Sequence, residues 1–529
     1  MRKRSVRHFG KRSRRPRGER ERGTLTVGDH PFETDHLLPD LRQRSVRGGA
    51  IVLVSQACKF LIALGGLMVL ARLLTPVDFG LLGMVVAVTG FLMLFKDLGL
   101  SMATIQRPDL THEQVSTLFW INVSLSVGIA LLTAGAAPLL AWFYREPRLT
   151  GITLVLSGAF VFGGLSVQHL ALLRRQMRFG VVAAVEIAAQ LLSVLAALIV
   201  AWRWRTYWAL VAMHVTLPAV TAAGVWIACR WRPGRPVRGC GVRPLLSYGG
   251  YQTGFTIVNY ITRNLDNALI GWWWGAHALG VYREAYRLLL LPLQQINLPT
   301  THVALATLSR LQHEPERFRA YFVRGIELMT ACGMPLVVFL FVCADGVVRT
   351  VLGNQWTEAV PIFRVLGPAA FLGTFNVASG WVYAALGRMD RKFRWGVLAA
   401  TCFTIAFFLA LPYGAIGVAA AVSIVTCALR IPGLLYAYHG TPIRMRDLGR
   451  AIRRPAAASA LAGLVLFAVR AAWEPAWPAP LLLLLHGSIC AAFYLIAWRV
   501  LPGGREASAD LLRLIREMRG GREESKAGE

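Results

Sequence analysis

The sequence predicts an all-α, polytopic membrane protein of about 14 transmembrane helices in two related halves. Three observations predict it. First, 55% of the 529 residues are hydrophobic and only 16% are charged, with a mean hydropathy of +0.50. A soluble chain would carry about 25% charged residues. Second, apolar runs of about 20 residues recur along most of the chain, long enough to cross a hydrocarbon core of about 30 Å. A transmembrane barrel would instead show alternating segments of about 10 residues. Third, the chain echoes itself. Gly49 and Ala50 match Gly249 and Gly250, and Phe79-Gly80-Leu81 matches Leu279-Gly280-Val281, both at an offset of 200. A further match, Arg178-Phe179-Gly180-Val181 with Arg394-Trp395-Gly396-Val397, has an offset of 216, so insertions separate the repeats.

In chain order, residues 1–44 form a basic tail punctuated by Gly and Pro. It lacks the apolar h-region of a signal peptide and reads as disordered and cytoplasmic. The first half, 45–230, holds spans near 46–71, 79–101, 115–141, 150–173, 180–202 and 206–229. A basic linker, 231–244, leads to the second half, 245–440. Its spans lie near 245–271, 278–303, 321–343, 360–386, 395–412 and 414–438. Two additional spans, near 456–472 and 479–499, occupy 441–500. Thr111-His112-Glu113-Gln114 has capping-box spacing and should start the third span. Pro292, Pro299, Pro335, Pro368 and Pro432 fall in or near spans, where neighbouring helices can satisfy the freed carbonyls. The cytoplasmic tail 501–529 contains an amphipathic stretch at Ala507–Arg519.

The net charge of +29 would point to nucleic acid in a soluble chain. Here the basic residues fall in the tails and in alternate loops, such as Arg174–Arg178, Arg230–Arg243, Arg388–Arg394 and Arg444–Arg454. The positive-inside rule produces that distribution. It places both termini in the cytoplasm and argues against nucleic-acid binding. Arg203 and Arg205 are the local exception, in a loop on the opposite side. The eight cysteines include no CxxC pair, so neither a zinc site nor a disulfide framework is indicated. No Walker A motif occurs, which excludes direct ATP use of that kind, and nothing calls for a cofactor.

Charges inside the apolar spans are the functional signal, since each costs roughly 2.5–3.5 kcal/mol near the bilayer centre on insertion scales. Gln56 and Lys59 share a helix face, as do Asn259 and Arg263, so the first spans of both halves present a polar stripe. Arg283 and Arg287 are four apart on the next span. Lys59, Arg263, Arg283 and Arg287, with Gln56 and Asn259, are therefore the substrate-binding candidates. Asp97, Asp266 and Glu186 are candidates for ion coupling or ion pairing. Lys96, Glu327, Arg364 and Arg430 complete the intramembrane set. Arginine grips phosphate bidentately and lysine acts as a point charge, so such a face suits an anionic substrate. An apolar rim would accept a lipid tail. Trp272-Trp273-Trp274 should lie at the outer interface.

Several stretches together resemble the polysaccharide-transporter branch of the MOP (multidrug/oligosaccharidyl-lipid/polysaccharide) superfamily, in particular its lipopolysaccharide, O-antigen and exopolysaccharide flippases. They are ARLLTPVDFGLLGM at Ala71–Met84, the stretch Asp97–Asn122, WFYREPRL at Trp142–Leu149 and RNLDNALIG at Arg263–Gly271. ALGVYREAYRLLLLPLQ at Ala278–Gln294, GNQW at Gly353–Trp356 and ALGR at Ala385–Arg388 follow. The long basic N-terminal tail and the WWWG segment depart from that pattern. The resemblance implies two pseudo-symmetric lobes around a central cavity. It also implies movement of an undecaprenyl-pyrophosphate-linked oligosaccharide between leaflets by alternating access, with no catalytic residues. The implied partners are the lipid-linked oligosaccharide and membrane lipids, with a polysaccharide polymerase and glycosyltransferases beside them. The competing readings are a cation-coupled drug exporter of the same superfamily and a membrane glycosyltransferase or ligase that uses a lipid-linked sugar.

Overall fold

A computed structural model describes residues 41–95, 101, 104–105, 110–237, 243–473, 475 and 477–502, with side chains except at 41–47, 243–259, 298–299 and 302–303. Among these residues the chain is helical, with no strand. The first lobe comprises α1 (Leu41–Leu73), α2 (Pro76–Met93), α3 (His112–Gly135), the short α4 (Ala137–Tyr144), α5 (Arg148–Arg175), α6 (Phe179–Trp204) and α7 (Trp208–Ala228). The second opens with α8 (Arg243–Arg310), which breaks at Gly275, where φ is 80° and ψ −174°. It continues through α9 (Pro315–Val342), α10 (Ala344–Val351), α11 (Ala359–Gly373), α12 (Val377–Ala385), α13 (Met389–Ala410) and α14 (Gly414–Tyr438). Two more helices follow, α15 (Met445–Ala472) and α16 (Ala479–Val500).

Eleven helical segments are long and apolar enough to cross a membrane among the described residues. The chain is a multi-pass membrane protein. The difference from the expected 14 has local reasons. Met389–Tyr438 counts as one segment although it holds α13 and α14, turned about Leu411–Tyr413. Neither arm of α8, where two spans are expected, is among the eleven. The expected span 360–386 is α11 plus α12, separated at Thr374–Asn376, with Pro368 inside α11.

Local sequence explains the helix boundaries. The capping box at Thr111 is present: its hydroxyl accepts from the Gln114 backbone N–H and the Gln114 amide oxygen accepts from the Thr111 N–H, both at 3.2 Å. A second one starts α2, where Asp78 accepts from the Thr75 backbone N–H at 2.8 Å and its hydroxyl at 2.7 Å. Arg178 and Arg388 stand at the N-caps of α6 and α13. Arg178 donates to the Ala228 carbonyl at the end of α7, and Arg388 to those of His439 and Gly440 just beyond α14. A cation at a helix C-terminus is favoured by the helix dipole. These equivalent roles pair Arg178 with Arg388. The RFGV–RWGV match, which pairs it with Arg394, lies instead inside α13 in the second half. The helix α1 begins at Leu41, inside the stretch read as tail. The rest of that tail and the amphipathic stretch Ala507–Arg519 lie outside the described residues.

The core shows how the lobes meet. One buried cluster contains residues of both, from Leu67, Phe79 and Leu210 to Leu279, Trp356 and Phe407. All of these lie toward the end holding the α1–α2 turn and Gly275. At the end of the basic loops each lobe has its own cluster. Val115, Phe119, Leu172 and Trp231 belong to the first, and Phe318, Phe322, Trp381 and Tyr438 to the second. Among the described residues, the lobes thus share a buried cluster at one end and have separate clusters at the other.

The joint is built on the 200-residue repeat. A Cβ on Gly80 would stand 1.7 Å from the Ala276 carbonyl oxygen, and one on Gly280 would stand 1.9 Å from that of Pro76. Pro76 and Ala276 are themselves 200 apart, so the contact is reciprocal, as across a two-fold axis. Only glycine permits such backbone approach. The GNQW segment reinforces the joint. Gln355 donates to the carbonyls of Ala71 and Leu74, at 2.5 and 2.8 Å, and the Trp356 indole donates to Ala71 at 2.9 Å. These carbonyls lie in the last turn of α1 and just beyond it, where helix carbonyls lack partners within their own helix.

Candidate functional site: a polar cavity between the lobes

Below the glycine joint lies a cavity of about 210 Å³. Helices α1, α2, α6 and α7 supply one side, through Gly66, Leu82, Gln190 and His214. The arm of α8 after Gly275 supplies the other, through Arg283, Glu284 and Arg287. Their spacing on that arm follows from helix periodicity, because residues three and four apart share a face. Glu284 is buried and accepts from Arg287 at 3.4 Å. Arg283 makes no hydrogen bond or ion pair among the described residues. The three charges leave a net charge of one positive. His214 has its Nδ1 2.9 Å from the Leu210 carbonyl oxygen, so Nδ1 carries the proton and Nε2 is the free ring nitrogen when the imidazole is neutral.

The other predicted residues lie around this cavity in distinct settings. Lys59 of α1 donates to Glu186 of α6 at 2.5 Å, and Arg174 approaches the same carboxylate at 3.3 Å. Lys59 does not line the cavity, but Ala63, four residues on, does, as does Gln190, four beyond Glu186. The Lys59–Glu186 pair therefore continues the same two helix faces about one turn, 5.4 Å, toward the basic end. Gln56 is exposed one turn further along α1. Arg263 is exposed and has no ion pair among the described residues. Asp266, three residues away, does not pair with it. Asp266 is buried and accepts from the Tyr282 hydroxyl at 2.7 Å and the Asn267 backbone N–H at 2.8 Å. That bond ties the two arms of α8 together across the Gly275 break. The Asn259 side chain, Lys96 and Asp97 lie outside the described residues.

Sequence reading did not name Glu284 as a site candidate, although that residue lines the cavity beside Arg283 and Arg287. It also missed His214 and Gln190, which are single polar residues in otherwise apolar helices. Their signal was weak: one polar group per span gives no stripe.

Several other charged residues are held in ion pairs between helices. Arg319 pairs with Asp447, Arg454 with Glu327 at 3.3 Å and Arg470 with Asp345 at 3.0 Å. The partners are 128, 127 and 125 residues apart, a near-constant offset. These pairs cross-link α15 to α9 and α10, which run alongside it in parallel. Arg364 also reaches Asp345, at 3.5 Å. Burial raises the Asp345 carboxyl, but the Arg470 hydrogen bond and charge, with Arg364 behind them, outweigh it and hold the group below its ordinary range. Trp272 stacks on Phe143 of the first lobe, and the Trp274 indole donates to the Leu411 carbonyl at 2.7 Å. The cluster thus belts the joined end.

The chain is thus a multi-pass membrane protein of two helical lobes that meet at one end beside a charged cavity. Residues 69–361 match the family model described as polysaccharide biosynthesis protein, and the chain belongs to that family. Among its relatives is the teichuronic acid biosynthesis protein TuaB of Bacillus subtilis, 27% identical over 440 residues, covering 83% of this chain and 91% of the relative. Another is the lipopolysaccharide biosynthesis protein WzxC of Escherichia coli, 25% identical and covering 72% and 77%. The succinoglycan biosynthesis transport protein ExoT of Rhizobium meliloti is 25% identical, covering 66% and 70%. Among solved structures, the lipid II flippase MurJ in an inward closed conformation superposes with a TM-score of 0.69 at 13% identity, covering 84% of this chain and 97% of that one. An inward-facing multidrug resistance MATE family transporter superposes with a TM-score of 0.57 at 14% identity, covering 75% and 96%.

Proposed function

We propose that this protein translocates a lipid-linked oligosaccharide between membrane leaflets by alternating access, for the export of a cell-surface polysaccharide. The observation that carries the reading is the cavity at the apex of the two lobes, where Arg283 and Arg287 share the single carboxylate of Glu284 and leave one positive charge over. A pyrophosphate is the natural partner of two guanidinium groups four residues apart on one helix face. The Lys59–Glu186–Arg174 cluster lies between the basic end and the cavity. It is a relay on which an incoming head group is exchanged before it reaches the apex. Arg263 and Gln56 extend the polar surface, Asn259 is a further candidate contact, and Asp97, Asp266 and Glu186 are candidates for coupling to an ion. The termini and basic loops face the cytoplasm, so the joined end faces outward. The protein acts as a transporter, supplying a polymerase with units that glycosyltransferases have built. A cavity with net positive charge suits an anion better than the cationic drugs of a multidrug exporter.

Reconstituted vesicles holding a lipid-linked oligosaccharide test the reading, with leaflet transfer scored with and without an ion gradient. Wild-type protein is expected to transfer the lipid. Arg283→Gln with Arg287→Gln is expected to abolish transfer, and the corresponding lysine variants to retain part of it, because charge survives without bidentate geometry. Normal transfer by the well-folded double glutamine variant would remove the head group from this cavity.

A further inference from the structure

Arg203 and Arg205 stand at the end of the bundle opposite the basic loops, against the charge asymmetry of the rest of the chain. Both are exposed, and neither makes a side-chain hydrogen bond or ion pair among the described residues. The acid at the neighbouring turn, Glu146, is engaged by Arg148 through bonds of 2.8 Å. Trp204 lies between the two arginines, with the Arg203 guanidinium 6.0 Å from its ring centre. Arg205 closes α6 in the left-handed region, with φ of 49°.

Directly beneath them is an apolar groove of about 550 Å³, separate from the central cavity. Val155 of α5, Val200 and Trp204 of α6, and Trp208, Val211 and Val215 of α7 line it. Trp204 and Trp208 mark the level of the membrane interface, where amphipathic rings settle. From Trp208 to Val215 the groove descends α7 by about 10 Å, at 1.5 Å per residue. Its lining carries no charge, and Arg203 and Arg205 flank Trp204 at its upper end.

We propose that this groove and the two arginines form a binding site for an anionic glycerophospholipid of the adjoining leaflet. One acyl chain lies along Val200, Val211 and Val215, and the phosphate lies across Arg203 and Arg205. Charge complementarity selects the occupant. A zwitterionic lipid would fill the groove equally well, yet its own cation would oppose the arginines. The site is independent of the transport reading, because it lies on the outer side of α5–α7 and shares no residue with the cavity between the lobes.

The test uses the full-length protein in nanodiscs containing phosphatidylglycerol or phosphatidylcholine with a diazirine in the acyl chain, and maps the photolabelled residues by mass spectrometry. Labelling of the segment 208–216 is expected to be about thirtyfold higher with phosphatidylglycerol, the effect of two arginines near an anionic head group at about 1 kcal/mol each. Arg203→Gln with Arg205→Gln should reduce it to the phosphatidylcholine level. Ala212→Phe should lower labelling by both lipids, and soluble glycerol phosphate should not compete. Equal labelling by the two lipids would overturn the proposal, as would a phosphatidylglycerol excess that survives the double substitution. Competition by glycerol phosphate would make this a free-phosphate site and would also overturn it. The arginine variants replace exposed side chains, and an unchanged melting temperature verifies their fold.

Discussion

Arg283 and Arg287 show why a charged residue must be judged by its partners. Both lie on one face of α8 and line the cavity, and Glu284 is the one acid in its lining, in direct contact with Arg287. Glu284→Gln should therefore leave both guanidinium groups unopposed and tighten binding of an anionic head group. Titration of the purified variant with a pyrophosphate lipid should show a lower Kd, about tenfold for each 1.4 kcal/mol gained. An unchanged Kd would place the head group elsewhere. Lys59 is in a different position, since its charge is already met by Glu186. Lys59→Met should destabilise the fold by about 1–3 kcal/mol, the range for losing a hydrogen bond to a charged group. Much of that loss should be recovered in Lys59→Met with Glu186→Gln, measured as thermal midpoints in detergent.

Among the elements, the glycine joint and the GNQW segment hold one end of the molecule shut. Gly80→Ala would force a methyl group into a carbonyl oxygen of the opposite lobe. It should cost at least about 1–3 kcal/mol, as overpacking of a tight interior does. Because the joint must part for the opposite face to open, the variant should also shift the protein toward that conformation. Gln355→Leu removes two hydrogen bonds from the end of α1, so it should act in the same direction with a smaller effect. Spin labels at Leu73 and Asn354 would report both changes as a longer mean distance. A distance unchanged in both variants would show that the joint is not the gate. The ladder between α15 and α9 belongs to the same scale. It couples the last two helices to the second lobe, which predicts that they move with it as one body.

For the whole molecule, the described residues form a core shared by both lobes at one end and separate cores at the basic end. Alternating access then predicts opposite distance changes at the two ends. Labels at Gln176 and Met389, on the basic loops, should approach one another when the substrate carrier turns over, while Leu73 and Asn354 separate. Movement of one pair without the other would contradict a rigid-lobe mechanism. The orientation is testable separately. A cysteine at position 176, in a background without the eight native cysteines, should resist an impermeant reagent applied from outside, and rapid labelling would invert the topology.

The sequence by itself determined that this is a helical membrane protein with an internal repeat. Those conclusions rest on composition, on the length of apolar runs and on local signals such as the Thr111 capping box, all of which act along the chain. It also located the charged stretch of α8, because charge in an apolar run is visible without a fold. Only the tertiary structure decided what those charges meet. Asp266 bonds Tyr282 across the Gly275 break rather than the nearby Arg263, and Lys59 finds Glu186 127 residues away. Glu284 joins the cavity while Glu327 joins a ladder. The physical reason is that a buried charge is stabilised by whichever partner packing brings within hydrogen-bond reach, and that partner usually lies on another helix. The repeat likewise showed that Gly80 and Gly280 correspond, but only the packing of α2 against α8 shows that they meet at one axis, where neither position has room for a side chain.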